Sequence, residues 1–490
     1  MLWLELHRLL PIAARGASVF FGVVSLALIP LVLVRRKEPS STIAWILTLV
    51  FLPAVGALLF WLFGRDRVRL PAKRKREMDA LVRAQVAAGQ GPPSDPGPPA
   101  NGVPPESVLE RALFRIGAHL THTRATSGNL VEVLANGNTA YDRIGAAIDA
   151  ARHHVHAQYY LIRDDATGRW FRDRLVAAAE RGVTVRLLLD GYGCFALRAA
   201  WKHPLRKAGV RLGEFLPMRS VLLQPVNLRN HRKIVVVDGQ VAFTGGFNVG
   251  DEYRGHMRGV GGWRDVHLRI EGRAAGDLQR VFFQDWAFAT GERIEPGTYF
   301  PKDIPDRGGA TIAVVTSGPD TRNDAIHSVF FGAIAGAERE VLITTPYFVP
   351  TEALLVAMEV SAMRGVDLKL LLPAHSNHAV TFHAGRSFYT QLLEAGVDVL
   401  EYQPGIVHAK TLVADGKVAL VGSANMDLRS FRLNFEVHAL VHDATTAKTI
   451  ADTFRAEAAD SRSVALAAWH ERAWALRVKE GMSRMVSPLL

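Results

Sequence analysis

His231 and Lys233 stand two residues apart, and His408 and Lys410 repeat the pair 177 positions later. Each pair opens a longer stretch that matches in register, NHRKIVVVDGQVAFTGGFN at 230–248 and VHAKTLVADGKVALVGSAN at 407–425. Asp238 and Asp415, Gly245 and Gly422, and Asn248 and Asn425 keep the same offset, so the chain holds an internal duplication of two domain-sized halves. Residues two apart in an extended strand share a face, which puts each imidazole beside its lysine. Two imidazoles, two ammonium groups and two amides around one pocket suit a phosphodiester. One imidazole attacks phosphorus and the other protonates the leaving oxygen, while the lysines and Asn248 and Asn425 hold the non-bridging oxygens as charge accumulates. A divalent metal is unnecessary, because the lysines supply the charge a metal would, and no cofactor is expected.

Asp238-Gly239 and Asp415-Gly416 are pairs favoured in two-residue hairpin turns. With those turns, His231 faces Gly246, Lys233 faces Thr244 and His408 faces Ser423. The hairpins then carry Gly246, Ser423, Asn248 and Asn425 beside the His–Lys pairs. Asp238 and Asp415 complete the two candidate catalytic motifs, but they fall at the far turns, where a structural role is expected. An imidazole nucleophile also needs orientation through its other nitrogen. Asp265 and Glu436, in the similar stretches DVHL and EVHA, are the candidate orienting carboxylates, with a Gly-rich insertion near 255–262 accounting for their unequal spacing. Arg429, four residues after Asn425, is a candidate phosphate contact.

The elements that must position these groups read as α/β. Apolar strand-like runs alternate with amphipathic stretches, and RGV followed by a buried-type strand occurs at both 181–183 and 364–366. A chain of 490 residues, 49% hydrophobic, should form two or three domains. The single cysteine, Cys194, excludes an intramolecular disulfide framework, and an excess of 58 Lys+Arg over 47 Asp+Glu favours an anionic partner. Two apolar runs, Ala17–Val34 and Ile43–Gly64, approach the ~18 to 20 residues of a bilayer-crossing helix, so a two-helix transmembrane hairpin is expected, with Pro30 and Pro53 inside the spans. Arg35, Arg36 and Lys37 fill its loop. Arg8, Arg15, Arg65, Arg67, Arg69, Lys73, Arg74, Lys75 and Arg76 lie on the other side, which places the termini in the cytoplasm. That basic run should attract anionic lipid. The expected organisation is a membrane hairpin with basic flank at 1–76, a Pro/Gly-rich linker at 77–105, and halves at 106–300 and 301–490.

The repeated HxKxxxxD stretch, followed by GGFN in one half and GSAN in the other, resembles the phospholipase D superfamily. The stretches NLRNHRKIVVVDGQVAFTGGFNVGDEY, GGWRDVHLRIEG and HAKTLVADGKVALVGSANMDLRSFRLNFE, the RRKEPSSTIAW loop and the terminal SPLL are similar to bacterial cardiolipin synthases. The resemblance implies two pseudo-symmetric halves, each a mixed sheet flanked by helices. It implies metal-independent transfer through a phosphohistidine, two phosphatidylglycerol molecules becoming cardiolipin and glycerol. It also implies a multi-pass protein of the bacterial cytoplasmic membrane, its catalytic domain on the cytoplasmic side, with anionic lipids as partners and no nucleic acid; oligomeric state is left open. Two departures stand out. Gly246 replaces the serine found at Ser423, and Asn377 stands where an acidic residue is expected.

Other features compete for attention. His153, His154 and His156 invite a metal reading but have no acidic or Cys partner at ligand spacing, and they enter a buried-type strand. Arg386, Ser387 and Tyr389 are as consistent with a pocket wall as with plain surface. Trp469 and Trp474, among Arg and Lys, fit an interfacial helix or simple packing equally. The same chemistry with water or another acceptor would make a phospholipase D-type hydrolase, a transphosphatidylase or a nuclease, and an inactive lipid-binding protein is a third reading. Both motifs are complete, which disfavours the last.

Overall fold

The computed structural model describes residues 19–34, 39–63, 69–90, 108–218, 228–255, 262–301, 303–321, 324–376 and 378–486. It divides into two units, 1–68 with 219–228, and 69–218 with 229–490.

In the smaller unit, residues 19–34 are helical, and Pro39–Phe51 and Pro53–Phe63 form two further helices separated at Leu52. Proline at 53 removes a donor and ends the preceding helix. Val32, Leu49 and Phe60 pack together, the Trp45 and Phe60 rings meet edge-on at 5.3 Å, and the Ser25 hydroxyl donates to the Pro53 carbonyl at 2.9 Å. Among the described residues no helix is long and apolar enough to cross a membrane, because the run expected as one span is interrupted here. The cationic loop at 35–37, the linker at 91–105, Asn377 and the terminal SPLL lie outside the described residues.

The larger unit is built on one continuous mixed sheet. Its strands are β1 (Thr126–Leu134), β2 (His154–Tyr159), β3 (Thr184–Asp190), β4 (Arg211–Phe215), β5 (Ile234–Val237), β6 (Val241–Gly245), β7 (His267–Glu271), β8 (Ala310–Ser317), β9 (Glu340–Thr344), β10 (Asp367–Pro373), β11 (Asp398–Tyr402), β12 (Thr411–Ala414), β13 (Val418–Gly422), β14 (Asn434–His442) and β15 (Ser461–Ser463). They lie in the order β15-β11-β10-β9-β12-β13-β14-β8-β1-β7-β6-β5-β2-β3-β4. Read outward from the centre the order is the same in either direction, each of the seven strands of the first half answering the strand seven later in the second, with β15 added at that edge without a counterpart. The halves join where β1 and β8 pair antiparallel across an irregular register.

Helices cover both faces. One face carries a separate apolar core in each half, and the other carries a shared core in which the helices Arg273–Thr290 and Ala444–Ala459 pack on strands of both. Burial on both faces explains why β5, β12 and β13 carry no charged residue and β5 reads as an unbroken Ile and Val run.

The hairpin registers differ from the expected ones by a residue. Val237 pairs with Val241 and Ala414 with Val418, so each loop holds three residues rather than two and Ile234, not Lys233, lies opposite Thr244. Asp238 and Asp415 adopt positive φ of 52° and 51° there. The Asp238 carboxylate accepts from the amides of Arg152, His153 and His154 at 2.8–2.9 Å. Asp415 accepts from those of Glu338, Arg339 and Glu340, the shortest at 2.8 Å. Both aspartates therefore tie a turn to the entry of the neighbouring strand, the structural role expected at the far turns.

The basic run after the smaller unit also needs correction. Arg69–Gln90 is one helix, which extends through much of the expected linker and packs on Arg273–Thr290. Lys75 is buried, 2.8 Å from Asp320, with its ammonium 5.1 Å from the Phe435 ring centroid, and Met78 and Val82 are buried on the same helix. Helical spacing of Lys75, Met78, Asp79 and Val82 was the signal for this packing face.

Removing a carboxylate that satisfies three backbone donors leaves them unpaired, so Asp238→Ala is expected to cost about 1–3 kcal/mol. Denaturant unfolding of the purified protein measures it; an unchanged midpoint would show that the amides find other partners.

Candidate active site

Short strand pairings between the halves deliver both histidines. Arg229–Asn230 runs parallel to the start of β14, and the His231 amide donates to the Phe435 carbonyl at 2.9 Å. Gly405–Val407 runs parallel to Gly262–Arg264, and the His408 amide donates to the Arg264 carbonyl at 2.6 Å. Each histidine thereby lands beside the carboxylate one residue further along the other half's strand. His231 Nδ1 lies 3.0 and 3.1 Å from the Glu436 oxygens, and His408 Nδ1 lies 2.6 Å from Asp265 Oδ2. Each of the two acids thus lies beside the histidine of the opposite half, not that of its own.

Residue 232 turns to the other side of the strand. Arg232 forms a buried pair with Asp285 of the helix Arg273–Thr290 at 2.6 and 2.7 Å and donates to the Glu436 carbonyl at 3.0 Å, clamping the motif between that helix and β14. Lys233 donates to the His231 carbonyl at 2.6 Å. Lys410 Nζ lies 2.7 Å from His408 Nδ1 and 3.2 Å from Nε2, and donates to that residue's carbonyl.

Gly246 and Ser423 are equivalent, their amides donating at 2.9 Å to the carbonyls of Val266 and Val437. Their difference has a steric cause. A β-carbon on Gly246 would stand 1.9 Å from Asp265 Oδ1, whereas the Ser423 hydroxyl donates to Glu436, which also accepts from Asn434 at 3.0 Å. Asn248 and Asn425 are both buried. Asn248 donates to the Tyr253 hydroxyl at 2.9 Å and accepts at its carbonyl from Tyr141, while the Asn425 amide donates to Ser430 at 3.1 Å. The side-chain oxygens of both asparagines have no hydrogen-bond partner among the described residues.

Aromatic rings stand beside both histidines, and these were not predicted. The Tyr160 ring lies 5.0 Å from that of His231, Trp263 lies 4.8 Å from His408, and Tyr347 meets His408 edge-on at 6.4 Å. Single aromatics in strand ends carry no sequence pattern that separates them from core. Arg429, on the helix Leu428–Arg432, has Arg229, Asp427 and Tyr160 as electrostatic neighbours, which puts it on the His231 side. Arg386 and Tyr389 belong elsewhere: Arg386 pairs with buried Glu401, and Tyr389 stacks on Trp469 at 4.9 Å. Ser387 donates to the Ala384 carbonyl at 2.6 Å. His154 and His156 sit within hydrogen-bond reach of Gln279, at 3.1 and 2.8 Å.

Burial sets the protonation states. It pushes His408 down to about 3, reinforced by Lys410 and opposed by Asp265, and it also lowers His231 against the pull of Glu436. Burial lowers Lys233 to about 7 and Lys410 to about 8. For the acids burial acts upward, yet His231 and Lys233 hold Glu436 at about 2, and Lys410 and His408 keep Asp265 below its ordinary value. Both imidazoles are thus neutral at neutral pH. One that donates Nδ1–H to a carboxylate presents a lone pair at Nε2, fit to attack phosphorus or to take a proton.

The family model described as cardiolipin synthase, phospholipase D-like domain, matches residues 144–286 and 331–457, and one described as phospholipase D-nuclease N-terminal matches 23–65. The cardiolipin synthase of Geobacillus kaustophilus (strain HTA426) is 36% identical over 96% of this chain and 92% of its own length. The major cardiolipin synthase ClsA of Bacillus subtilis (strain 168) is 36% identical over 96% of this chain and 98% of its own. The chain belongs to the cardiolipin synthase family. Its fold is also similar to that of a phosphatidylserine synthase from Haemophilus influenzae Rd KW20, with a TM-score of 0.58 at 12% identity, over 77% of this chain and 100% of that one. That likeness is one of fold, a mixed α/β architecture with phospholipase D-like domains.

Asp265→Asn keeps the shape of the acid and removes its charge, and is expected to lower kcat by ~10² to 10⁴. Gly246→Ser should lower it through the same histidine by displacing Asp265. Steady-state kinetics on both variants provide the check; wild-type turnover in Gly246→Ser would mean that Asp265 can shift without cost.

Proposed function

We propose that this chain is a cardiolipin synthase that transfers a phosphatidyl group from one phosphatidylglycerol to another, releasing glycerol. The observation that carries the reading is the pair of neutral, carboxylate-oriented imidazoles with a lysine beside each, and the names of the relatives supply the substrate class. In the first step His231 Nε2 attacks phosphorus, the bond to the head-group glycerol breaks, and that oxygen takes a proton from His408 Nε2, which becomes charged only once the anionic phosphodiester is bound beside it. In the second, His408 takes the proton of the acceptor's hydroxyl, the new P–O bond forms, and the P–N bond to His231 breaks. Lys233, Lys410, Asn248, Asn425 and Arg429 hold the phosphoryl oxygens. Support for His231 as nucleophile comes from its Nε2, which has no protein partner among the described residues, whereas that of His408 has Lys410 at 3.2 Å.

The apolar runs at 17–34 and 43–64 anchor the chain in the bacterial cytoplasmic membrane as a hairpin, with the catalytic halves on the cytoplasmic side. Outward-facing Val19, Phe20, Val23, Leu26, Phe51 and Leu58 support that reading.

Purified protein given phosphatidylglycerol alone should form cardiolipin and glycerol in equal amounts. Phosphatidic acid as the only lipid product would make it a hydrolase instead. Acid quench with phosphorus-labelled lipid should place the label on the peptide containing His231; label on the His408 peptide alone reverses the assignment. His231→Ala and His408→Ala should each abolish cardiolipin formation.

The pH profile follows from the lysines. Both are needed as cations and both are lowered by burial, so charge is complete below about 7 and is lost as pH rises through about 7 to 8. Since kcat/KM reports the free enzyme, it should fall across that interval, measured on detergent-dispersed phosphatidylglycerol. Of the histidines, His408, pushed down to about 3 by burial, should add no acidic limb near pH 6.5.

A further inference from the structure

We propose that the C-terminal helix Trp474–Val486 is a membrane-docking surface that sets the catalytic unit against an anionic lipid face, an inference that rests on the lipid-substrate reading above. At 3.6 residues per turn, Trp474, Val478, Met482 and Met485 fall within an arc of roughly 80°. They are 76%, 38%, 65% and 80% exposed. Arg477 and Arg484 border this stripe on one side and Lys479 on the other, all of them exposed.

The opposite side of the helix is held to the protein at Glu480 and Ser483, while Leu476 near its start is 46% exposed. Glu480 and Ser483 are buried; Glu480 accepts from Arg472 at 2.7 and 2.9 Å and lies 3.6 Å from Arg386, and the Arg484 guanidinium sits 4.3 Å from the Phe388 ring centroid. The anchoring pairs hold the apolar stripe outward instead of leaving it free to turn in. Large side chains aligned this way on a folded surface mark a contact site, and cations on both borders of an apolar stripe are the composition of a helix lying in a lipid interface. A second copy of the chain would bring like cations together at both borders, whereas an anionic bilayer neutralises them.

The position also fits. The helix packs on Ala379–Arg386, which packs in turn on Phe348–Val349, and the preceding residue, Tyr347, stands against His408. The stripe therefore lies on the layer that borders the His408 side of the pocket, where a lipid head group would enter without leaving the interface.

The test uses the full-length chain. Cys194 is 3% exposed and burial pushes its thiol up to about 12, so Met485→Cys introduces the one readily labelled thiol. An environment-sensitive fluorophore there should shift to the blue and be quenched by acyl-brominated lipids in phosphatidylglycerol-containing vesicles, and less so in phosphatidylcholine alone. The double variant Trp474→Glu, Met482→Glu should lose at least tenfold in cardiolipin formation on vesicles while keeping wild-type turnover of monomeric short-chain phosphatidylglycerol. No quenching in anionic vesicles, or equal loss on both substrates, overturns the proposal. So does concentration-dependent shielding of the label in detergent without lipid, which would identify a second copy as the occupant. A wild-type protein that makes no cardiolipin from the short-chain lipid defeats the cardiolipin synthase reading, while the quenching measurement still reports on docking.

Discussion

Each active-site imidazole takes its orientation from a carboxylate of the other half, His231 from Glu436 and His408 from Asp265. The proposed site therefore draws on both halves, which lie in one sheet. The β1–β8 seam joins them, the parallel pairings of Arg229–Asn230 with β14 and of Gly262–Arg264 with Gly405–Val407 cross it, and the Arg232–Asp285 pair clamps the first motif from below. Concentrating four cationic or potentially cationic groups and two acids in a buried space is costly unless each charge has a partner. The crossed pairs provide those partners, and the residual cost appears as lysines lowered toward neutrality.

The two-fold symmetry of the fold is not carried into the chemistry. A glycine stands at 246 because the Asp265 carboxylate occupies the volume a side chain would take, whereas at 423 a serine fits and binds Glu436. Tyr160 covers His231, and Trp263 with Tyr347 covers His408. Lys410 approaches both ring nitrogens of its histidine, whereas Lys233 donates to the backbone carbonyl of His231. Two imidazoles that begin as copies are thus placed in different surroundings, which a reaction with separate nucleophile and acid requires.

Charge on the surface and charge in the core proved to be separate matters. The basic run at 69–76 reads as a single electrostatic patch, yet Lys75 is taken inward by Asp320 while Lys73, Arg74 and Arg76 stay exposed. At the C-terminus the division runs the other way, with Glu480 drawn in by two arginines and the apolar side chains left outside.

The duplication, the His–Lys pairs and the mixed α/β class were legible in the chain, because repeated polar residues at constant offset and alternating strand patterns are local signals. Turn identity was legible too, but the extra residue in each hairpin was not, since Asp-Gly is compatible with loops of different length and the ladder decides between them. Which acid serves which histidine was beyond reach of spacing. Asp265 follows His231 by 34 residues and Glu436 follows His408 by 28, so proximity along the chain points to the wrong partner in both cases. The exchange is settled by strand pairing between the halves, a contact between segments well over a hundred residues apart. The aromatic walls and the burial of Lys75 are of the same kind: the residue type is written in the sequence, and what it faces is determined by which distant element packs against it.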